Sequence, residues 1–294
     1  MESISLTSCA LCGETEAIRK SHIIPKFIYR YFKDTSTGRL RRIDNPNITH
    51  QDGQKENMLC GNCEGKVNKF ETIFANALFY PYKKEGIKQF TYDKWLSYFI
   101  TSVSWRILYL DIIGFVREGL IGLEAINNLT KSEKIMREYL LGNRDSLDYI
   151  ENHIFFIEDL DSVPEEIVKL QPHVSIHRSI GGYTVVNVRE NTYFTMTNLM
   201  GIFLITFYNQ GEYESWEGTK ITNGIGTIEA RDQHVTSIFG QEITAMIKAI
   251  DITKGQLSEN QSEAIINRLR KAGEKIMDYE VFEEKKKDLK LEKR

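Results

Sequence analysis

The four cysteines are the most regular of the residues that could carry chemistry in this 294-residue chain. They form two Cys-x-x-Cys pairs, Cys9/Cys12 and Cys60/Cys63, and no cysteine is left over. Two residues between thiolates allow both sulfur atoms to reach one ion at about 2.3 Å, and two such pairs complete a closed tetrahedral Zn²⁺ site. A closed site has no open coordination position, so we expect the zinc to fix geometry without activating water. Redox use of the cysteines and binding of another metal are the alternatives.

One histidine, His22, stands between the two pairs in the alternating apolar stretch SHIIPKF. This stretch suits a β-strand that ends at Pro25. Taken alone, such a histidine is more often a hydrogen-bonded core residue than a catalyst. After the second cysteine pair, the spacing predicts a helix over 64–79, with an apolar stripe and a second stripe that carries Glu64 and Glu71.

The order of these motifs resembles the zinc-bearing, four-cysteine branch of the HNH endonucleases, which belong to the ββα-metal or His-Me finger superfamily. The shared order is Cys-x-x-Cys, His-Ile-Ile-Pro, an asparagine, and a second Cys-x-x-Cys that opens a helix, and it covers about residues 5–80. The resemblance implies that His22 is the general base, opposite a divalent cation, Mg²⁺ or Mn²⁺, that stabilises the phosphorane and the leaving oxygen. It also implies that Asn57 orients the histidine or its loop.

The chain departs from the family pattern at two positions. Ser21 precedes the histidine where an acidic metal ligand is common, and Glu64 follows the second cysteine pair where His or Asn is common. A hydroxyl is a poor substitute for a carboxylate on Mg²⁺, whereas a glutamate is a suitable oxygen ligand. We therefore expect Glu64 to hold the catalytic cation, with Glu71 either a second ligand or solvated.

The longer segments SHIIPKFIYR, LCGNCEGKVNKFE and WLSYFITSVSWR together look like a group of uncharacterised bacterial HNH-like proteins. This narrower resemblance implies a role in phage defence or a toxin-like role, and it supplies no substrate.

The charge distribution indicates where a polyanion would bind. The whole chain carries a formal net charge of −3, which argues against a general affinity for nucleic acid. Residues 1–88 contain 14 Lys/Arg and 10 Asp/Glu, whereas the remainder is acidic. We expect phosphate contacts from five basic residues of this N-terminal part. They are Lys26, Arg30, Arg39, Arg41 and Arg42. A solvated hairpin around the last three is the alternative.

The fold class predicted from these patterns is α+β, in three parts. Residues 1–90 form a zinc-bound ββα module of the treble-clef or HNH-like type, and residues 91–150 form a helical connector. The aromatic residues of the connector are predicted to be core, and Thr130 with Glu133 makes a capping box that predicts a helix start.

Residues 151–294 are predicted to be an α+β domain with an antiparallel sheet and C-terminal helices. The stretch HVSIHRS is assigned to one of its strands, with His173 and His177 on the same face as core or surface residues. The last helix is highly charged and is expected to fray.

The function predicted is a metal-dependent endonuclease that hydrolyses DNA phosphodiester bonds, with RNA as a second possible substrate. The C-terminal domain would bind a protein partner or form a homo-oligomer. The sequence MESISLTSCALCGETEA lacks the features of a signal peptide, and the apolar stretch 95–116 carries Arg106 and Asp111. We therefore expect a cytoplasmic protein without a membrane span.

Two other functions remain open at this stage. One is a non-catalytic zinc module for nucleic-acid or protein binding, in which Ser21 reflects lost chemistry. The other is a sensor protein whose C-terminal sheet binds a small ligand, which predicts a conspicuous pocket within residues 150–250.

Overall fold

The computed structural model describes residues 7–15, 17–37, 39–158, 160 and 163–293, and within them it is a mixed α+β protein with antiparallel sheets. Four short strands and two α-helices lie within the described residues of the N-terminal part. These are β1 (Ile18–His22), α1 (Lys26–Asp34), β2 (Leu40–Arg41), β3 (Thr49–His50), β4 (Lys55–Cys60) and α2 (Gly61–Phe74). Strand β1 pairs antiparallel with β4, and β2 pairs antiparallel with β3.

The boundaries of these elements follow from local chemistry. Pro25 occupies the N-cap of α1 with φ −54°, so the ring that ends the extended segment also starts the helix. Helix α2 follows β4 without a loop, since Cys60 is both the last strand residue and the helix N-cap. The helix predicted over 64–79 is confirmed, although it begins at Gly61 and passes through a π-helical segment, Ala75–Phe79.

The connector contains two long helices. Strand β5 (Gln89–Tyr92) precedes α3 (Lys94–Glu118), and α4 (Leu123–Leu141) follows. The side chain of Asp93 caps α3 by accepting a hydrogen bond of 2.9 Å from the backbone N–H of Trp95. The prediction that the aromatic residues of α3 are core is confirmed for Phe99 and Trp105, which are almost completely buried.

The capping box predicted at Thr130 and Glu133 is wrong. Both residues lie inside α4, which begins seven residues earlier, at Leu123. Glu133 is buried and its carboxylate accepts a hydrogen bond of 2.8 Å from Nε1 of Trp105. The Glu133 carboxylate therefore binds a tertiary partner, Trp105, instead of the helix cap that the local pattern predicts.

Helix α3 is long and apolar enough to cross a membrane by length and composition, but 56% of its most apolar 18-residue window is buried inside the protein. It packs against α2, α4 and four strands of the five-stranded sheet described below. This is the environment of a core helix in a soluble protein.

The described residues of the C-terminal part form eight strands. They are β6 (Glu151–Phe156), β7 (Ile180–Asn187), β8 (Thr192–Leu199), β9 (Ile202–Asn209), β10 (Ser215–Glu217), β11 (Lys220–Ile221), β12 (Gly226–Glu229) and β13 (His234–Thr236). Five of them form an antiparallel sheet in the order β11-β6-β9-β8-β7, which confirms the predicted antiparallel sheet. Strand β12 pairs with β5, and β10 pairs with β13. The predicted division at residue 90 thus lies inside β5, and the division at 150 lies directly before β6.

Five helices complete the described chain. They are α5 (Glu165–Val168), α6 (Pro172–His177), α7 (Phe239–Gly255), α8 (Glu259–Ala272) and α9 (Glu280–Leu291). Two sequence predictions are wrong here. The stretch HVSIHRS is helical in α6 instead of a strand, and α9 is packed instead of frayed, since Glu284 and Asp288 are buried.

A single contact between α9 and the start of α6 explains both why α6 is helical and why α9 is packed. The carboxylate of Asp288 on α9 accepts hydrogen bonds from the first free N–H groups of α6, at His173 (2.8 Å) and Val174 (3.1 Å). A buried carboxylate at a helix start satisfies N–H groups that have no partner inside the helix. The cap comes from a residue more than a hundred positions away, so no local pattern could reveal it.

Candidate functional site

The four cysteines meet at one point of the N-terminal part, which confirms that they are positioned to bind a metal ion. Their sulfur atoms all lie within 4.8 Å of one another, and Sγ of Cys12 is 3.8 Å from Sγ of Cys60. Four thiolates on a tetrahedral zinc with bonds of about 2.3 Å are separated by about 3.8 Å. The donor set and its dimensions therefore fit Zn²⁺.

The surroundings of the cysteines shift their thiol pKa values in different directions, since burial raises the pKa of Cys12 and of Cys63. The turn that carries Cys9 and Cys12 is fixed to β4 by a hydrogen bond of 2.9 Å from Ala10 N–H to the carbonyl of Met58. Burial raises the pKa of the Cys9 thiol, but backbone N–H groups, including that of Cys60 at 3.3 Å, outweigh burial and lower it to about 7. A thiol with this pKa is readily deprotonated to the thiolate that binds metal.

His22 lies at the end of β1, where it faces a carboxylate that the sequence did not single out. Its Nε2 is 3.0 Å from Oδ2 of Asp52, and the two side chains are 15% and 24% exposed. The two atoms are within hydrogen-bond distance but are not aligned as a hydrogen bond. Burial raises the pKa of Asp52, but Lys55, at 2.8 Å, and His22 outweigh burial and lower the pKa to about 2. Asp52 is therefore a carboxylate that holds the imidazole at neutral pH.

A buried arginine from α3 fixes the backbone of the same histidine. Nη1 of Arg106 donates a hydrogen bond of 2.8 Å to the carbonyl of His22 and lies 2.9 Å from Oε1 of Glu71. Its Nε donates to the carbonyl of Ser102 at 3.1 Å. The side chains of Arg106 and Glu71 are only 3% and 13% exposed. Glu71, a predicted cation ligand, is thus paired with a guanidinium.

Ser21 and Glu64 form a second polar pair beside the histidine. The hydroxyl of Ser21 donates a hydrogen bond of 3.1 Å to Oε2 of Glu64, and Ser21 is almost completely buried. The two positions at which the chain departs from the family pattern are therefore in direct contact. In the described part of the chain, His22, Glu64 and Glu71 do not belong to a cluster of three or more possible metal ligands.

Asn57, the predicted positioning residue, lies on β4 opposite Lys20, and both side chains are exposed. The strand register puts Lys55, two residues earlier, opposite His22. Asn57 is thus two residue pairs away from the histidine along the sheet.

The predicted phosphate-binding residues fall into two groups. Lys26 and Arg30 are exposed and lie four residues apart on α1, so they share one helix face. Arg42 is paired with Asp44, whereas Arg41 donates a hydrogen bond of 2.9 Å to Gln261 on α8.

Arg41 has two arginine neighbours. Burial and then the charges of Arg268 and Arg39 lower the pKa of Arg41. The guanidinium groups of Arg39 and Arg268 therefore lie near that of Arg41, and Arg268 comes from a segment that sequence reasoning did not connect with the hairpin. Like charges gathered in this way favour the binding of an anion.

Sequence reasoning missed Asp52 and Arg106 as site residues. The Asp-Gly pair at 52–53 is typical of a turn, and Arg106 interrupts an otherwise apolar stretch, so neither pattern indicates a functional site. An arginine among apolar residues is a signal in itself, since a buried arginine needs an acidic partner.

The sensor hypothesis predicted a conspicuous pocket within residues 150–250. A cavity of about 450 Å³ lies there, between the β7–β8 turn and the start of α7, and its lining includes Arg189, Glu190 and Tyr213. It is open to solvent and its lining is mostly polar, unlike the apolar enclosures typical of small-molecule sites.

Comparison with known proteins gives no match: no family model, no curated protein and no solved structure matches the chain.

Proposed function

We propose that the N-terminal part of this protein is a zinc-stabilised module of the HNH type that hydrolyses DNA phosphodiester bonds with the help of a divalent cation. The observation that carries the proposal is the support around His22. A carboxylate lies 3.0 Å from Nε2 of its ring, and Arg106 holds its backbone carbonyl at 2.8 Å. An imidazole oriented at one nitrogen by a carboxylate can take a proton from water at the other.

Glu64 would provide the cation ligand in this proposal. Its carboxylate stands at the start of α2, next to the zinc-binding Cys63, and Ser21 holds one of its oxygens. Mg²⁺ keeps several water ligands and is often bound through one or two carboxylates together with substrate phosphates, so a single glutamate is sufficient. When bound, Mg²⁺ or Mn²⁺ would stabilise charge on the phosphorane and the leaving oxygen. Glu71 would position the site by neutralising Arg106 instead of binding the cation.

The basic residues around the module would hold the phosphate backbone. Lys26 and Arg30 present two exposed charges on α1, and the group of Arg39, Arg41 and Arg268 presents a second cationic surface. Phosphate would relieve the repulsion among these arginines, and such contacts give affinity without reading sequence. We extend the proposal to a cytoplasmic role in phage defence or a toxin-like role, on the strength of the motif resemblance alone.

A second candidate function is a non-catalytic zinc module that binds nucleic acid or protein. The observation that favours it is the pairing of the acidic residues, since Glu64 is held by Ser21 and Glu71 by Arg106. In that case His22 and its carboxylate would be structural, and no second divalent ion would bind the N-terminal part.

Cleavage assays on DNA and RNA with Mg²⁺ or Mn²⁺ distinguish the two functions. We expect the wild-type protein to nick DNA, and we expect His22→Ala and Glu64→Gln to lose cleavage while keeping their zinc and their melting temperature. His234→Ala, which removes an exposed imidazole on β13, is the matched control and should cleave normally.

Three results decide between the functions. Cleavage that survives in His22→Ala would refute the assignment of the base. Wild-type protein that binds DNA without cleaving DNA or RNA would favour the non-catalytic module. Binding that is unaffected by loss of Lys26 and Arg30 would refute the proposed DNA-binding surface.

A further inference from the structure

A second cluster of possible metal ligands lies far along the chain from the cysteines, between α6 and α9. It consists of His173 and His177 on α6 and Glu284 on α9, and one ligand atom from each lies within 4.8 Å of the others. All three residues are at most 5% exposed. The two histidines are four residues apart on one helix, which places them on the same face, one turn apart.

Two buried polar atoms of this cluster point at each other without a hydrogen bond. Nε2 of His177 is 3.9 Å from Oε2 of Glu284, and neither atom has a hydrogen-bond partner among the described residues. His177 is 3% exposed, so water does not reach its ring freely. Buried polar groups are almost always satisfied, and those without a protein partner call for a bound water or ion. Since Nδ1 of His173 also lies 3.8 Å from the same carboxylate oxygen, three donors converge on one point.

The surrounding residues hold these donors in a ligand-like arrangement. Lys287 donates a hydrogen bond of 3.2 Å to Oε1 of Glu284, which leaves Oε2 to face the imidazoles. Gly201, at φ +90°, lets the ring of His177 lie against the backbone, because a Cβ there would be 2.3 Å from Nδ1. Asp288 caps α6 through two backbone N–H groups and so fixes the register between α6 and α9. Partners of this kind, behind the ligands, orient them in metal sites.

From this geometry we propose that His173, His177 and Glu284 bind a second divalent ion of the zinc type, independent of the cysteine site. Two imidazole nitrogens and one carboxylate oxygen suit Zn²⁺, whereas Mg²⁺ and Ca²⁺ prefer oxygen ligands. Bonds of about 2.0–2.1 Å require donors about 3.4 Å apart, so each imidazole needs to approach the Glu284 carboxylate by about half an ångström. The fourth ligand would come from the adjoining cavity of about 350 Å³, which His177 and Glu284 line.

The site is structural in character. Two histidines four residues apart on a helix, together with a distant glutamate, also occur in zinc proteases, where a glutamate follows the first histidine as general base. Here Val174 occupies that position, so no base is available. The ion would instead hold α9 against α6. From α9, Glu280 contacts Lys83 and Arg178, both at 2.8 Å, and thereby extends the connection to the N-terminal part.

Metal analysis of the full chain tests this site, because the two proposed sites differ in their ligands. Protein purified with excess Zn²⁺ and then desalted should contain two equivalents. A mercurial reagent that modifies thiols should release one equivalent, from the cysteines, and leave the other. Glu284→Gln and His177→Ala should each lose the mercurial-resistant equivalent, whereas Glu283→Gln, an exposed neighbour on α9, and His234→Ala should keep it.

The wild-type measurement remains decisive even if a variant fails to fold. A mercurial-resistant equivalent in the wild type supports the site whether or not the cysteines hold zinc, and therefore does not depend on the nuclease proposal. Release of all bound zinc by the mercurial would overturn the site. Retention of the resistant equivalent in well-folded Glu284→Gln and His177→Ala would overturn it as well.

Discussion

The pair between Arg106 and Glu71 yields the most quantitative prediction of the structure. Both side chains are largely buried, and the same Nη1 atom also donates to the carbonyl of His22. Removing one partner of a buried ion pair leaves an uncompensated charge and costs about 3–5 kcal/mol. We expect Arg106→Gln to lower the free energy of unfolding by about 3–5 kcal/mol, because it also loses charged hydrogen bonds to two backbone carbonyls.

The double variant Arg106→Gln/Glu71→Gln should lose much less than the sum of the two single variants. Two neutral amides leave no buried charge, so we expect a coupling energy of about 2–3 kcal/mol. Arg117 and Glu118 provide the control, since they form a contact of 2.8 Å at the exposed end of the same helix. The double-mutant cycle on Arg117 and Glu118 should give a coupling energy below about 1 kcal/mol, as for other exposed pairs.

Urea unfolding followed by circular dichroism, at fixed zinc concentration, measures both cycles. Additive effects of Arg106→Gln and Glu71→Gln, within about 0.5 kcal/mol, would refute the pairing. A second arm adds Mg²⁺. If Glu71 is a cation ligand after all, Mg²⁺ should stabilise the wild type and this stabilisation should disappear in Glu71→Gln. If Glu71 is instead paired with Arg106 and Glu64 is the cation ligand, Mg²⁺ should stabilise the wild type and Glu71→Gln equally.

Four further outcomes are expected. Cys60→Ser should lose the cysteine-bound zinc and become sensitive to proteolysis in its N-terminal part, whereas Cys60→His should retain zinc by metal analysis. Ser21→Asp should destabilise metal-free protein by at least about 1.4 kcal/mol, the equivalent of one pKa unit, through repulsion of Glu64, and should bind Mg²⁺ more tightly by calorimetry. Burial lowers the pKa of His153 to about 4, so the unfolded state binds more protons below pH 6.5 and stability falls as pH falls. His153 should therefore contribute a loss of about 2 kcal/mol between pH 7 and pH 5 in chemical unfolding, measured as the difference between the wild type and His153→Asn. Lys26→Ala should reduce the slope of log affinity for duplex DNA against log salt by about 0.9, and an unchanged slope would exclude a phosphate contact there.

The features that the sequence predicted well are those fixed by short spacings. A Cys-x-x-Cys pair brings two thiols together through its own turn, and the two pairs meet because the first turn is hydrogen-bonded to β4, which runs directly into α2 at Cys60. The strands of the main sheet are also local, since β8 and β9 follow each other with a tight turn at Met200 and Gly201. Each of these turns forms from residues that are close together in the sequence, so it can be predicted without knowing a distant partner.

The features that the sequence did not predict depend on partners far along the chain. Helix α6 was assigned to a strand because His173 to His177 alternate with apolar residues, yet its cap is Asp288. The supports of His22 likewise come from Asp52, in a turn that looked generic, and from Arg106, in another helix. A single sequence does not show which distant backbone group a carboxylate or a guanidinium will contact.

Arg106 also shows why the histidine site is not a property of the N-terminal part alone. The helix that carries it is joined to the main sheet by buried polar contacts, since Thr206 donates to Ser104 and Asn152 donates to Thr101, both at 2.8 Å. A displacement of α3 relative to the sheet would therefore move the guanidinium that holds the carbonyl of His22. A metal ion on the four cysteines would fix β4 and α2 from one side, and α3 fixes the end of β1 from the other. The position of the proposed base thus depends on the packing of the whole described chain, which gives the large C-terminal part a structural role at the site even before a partner is considered.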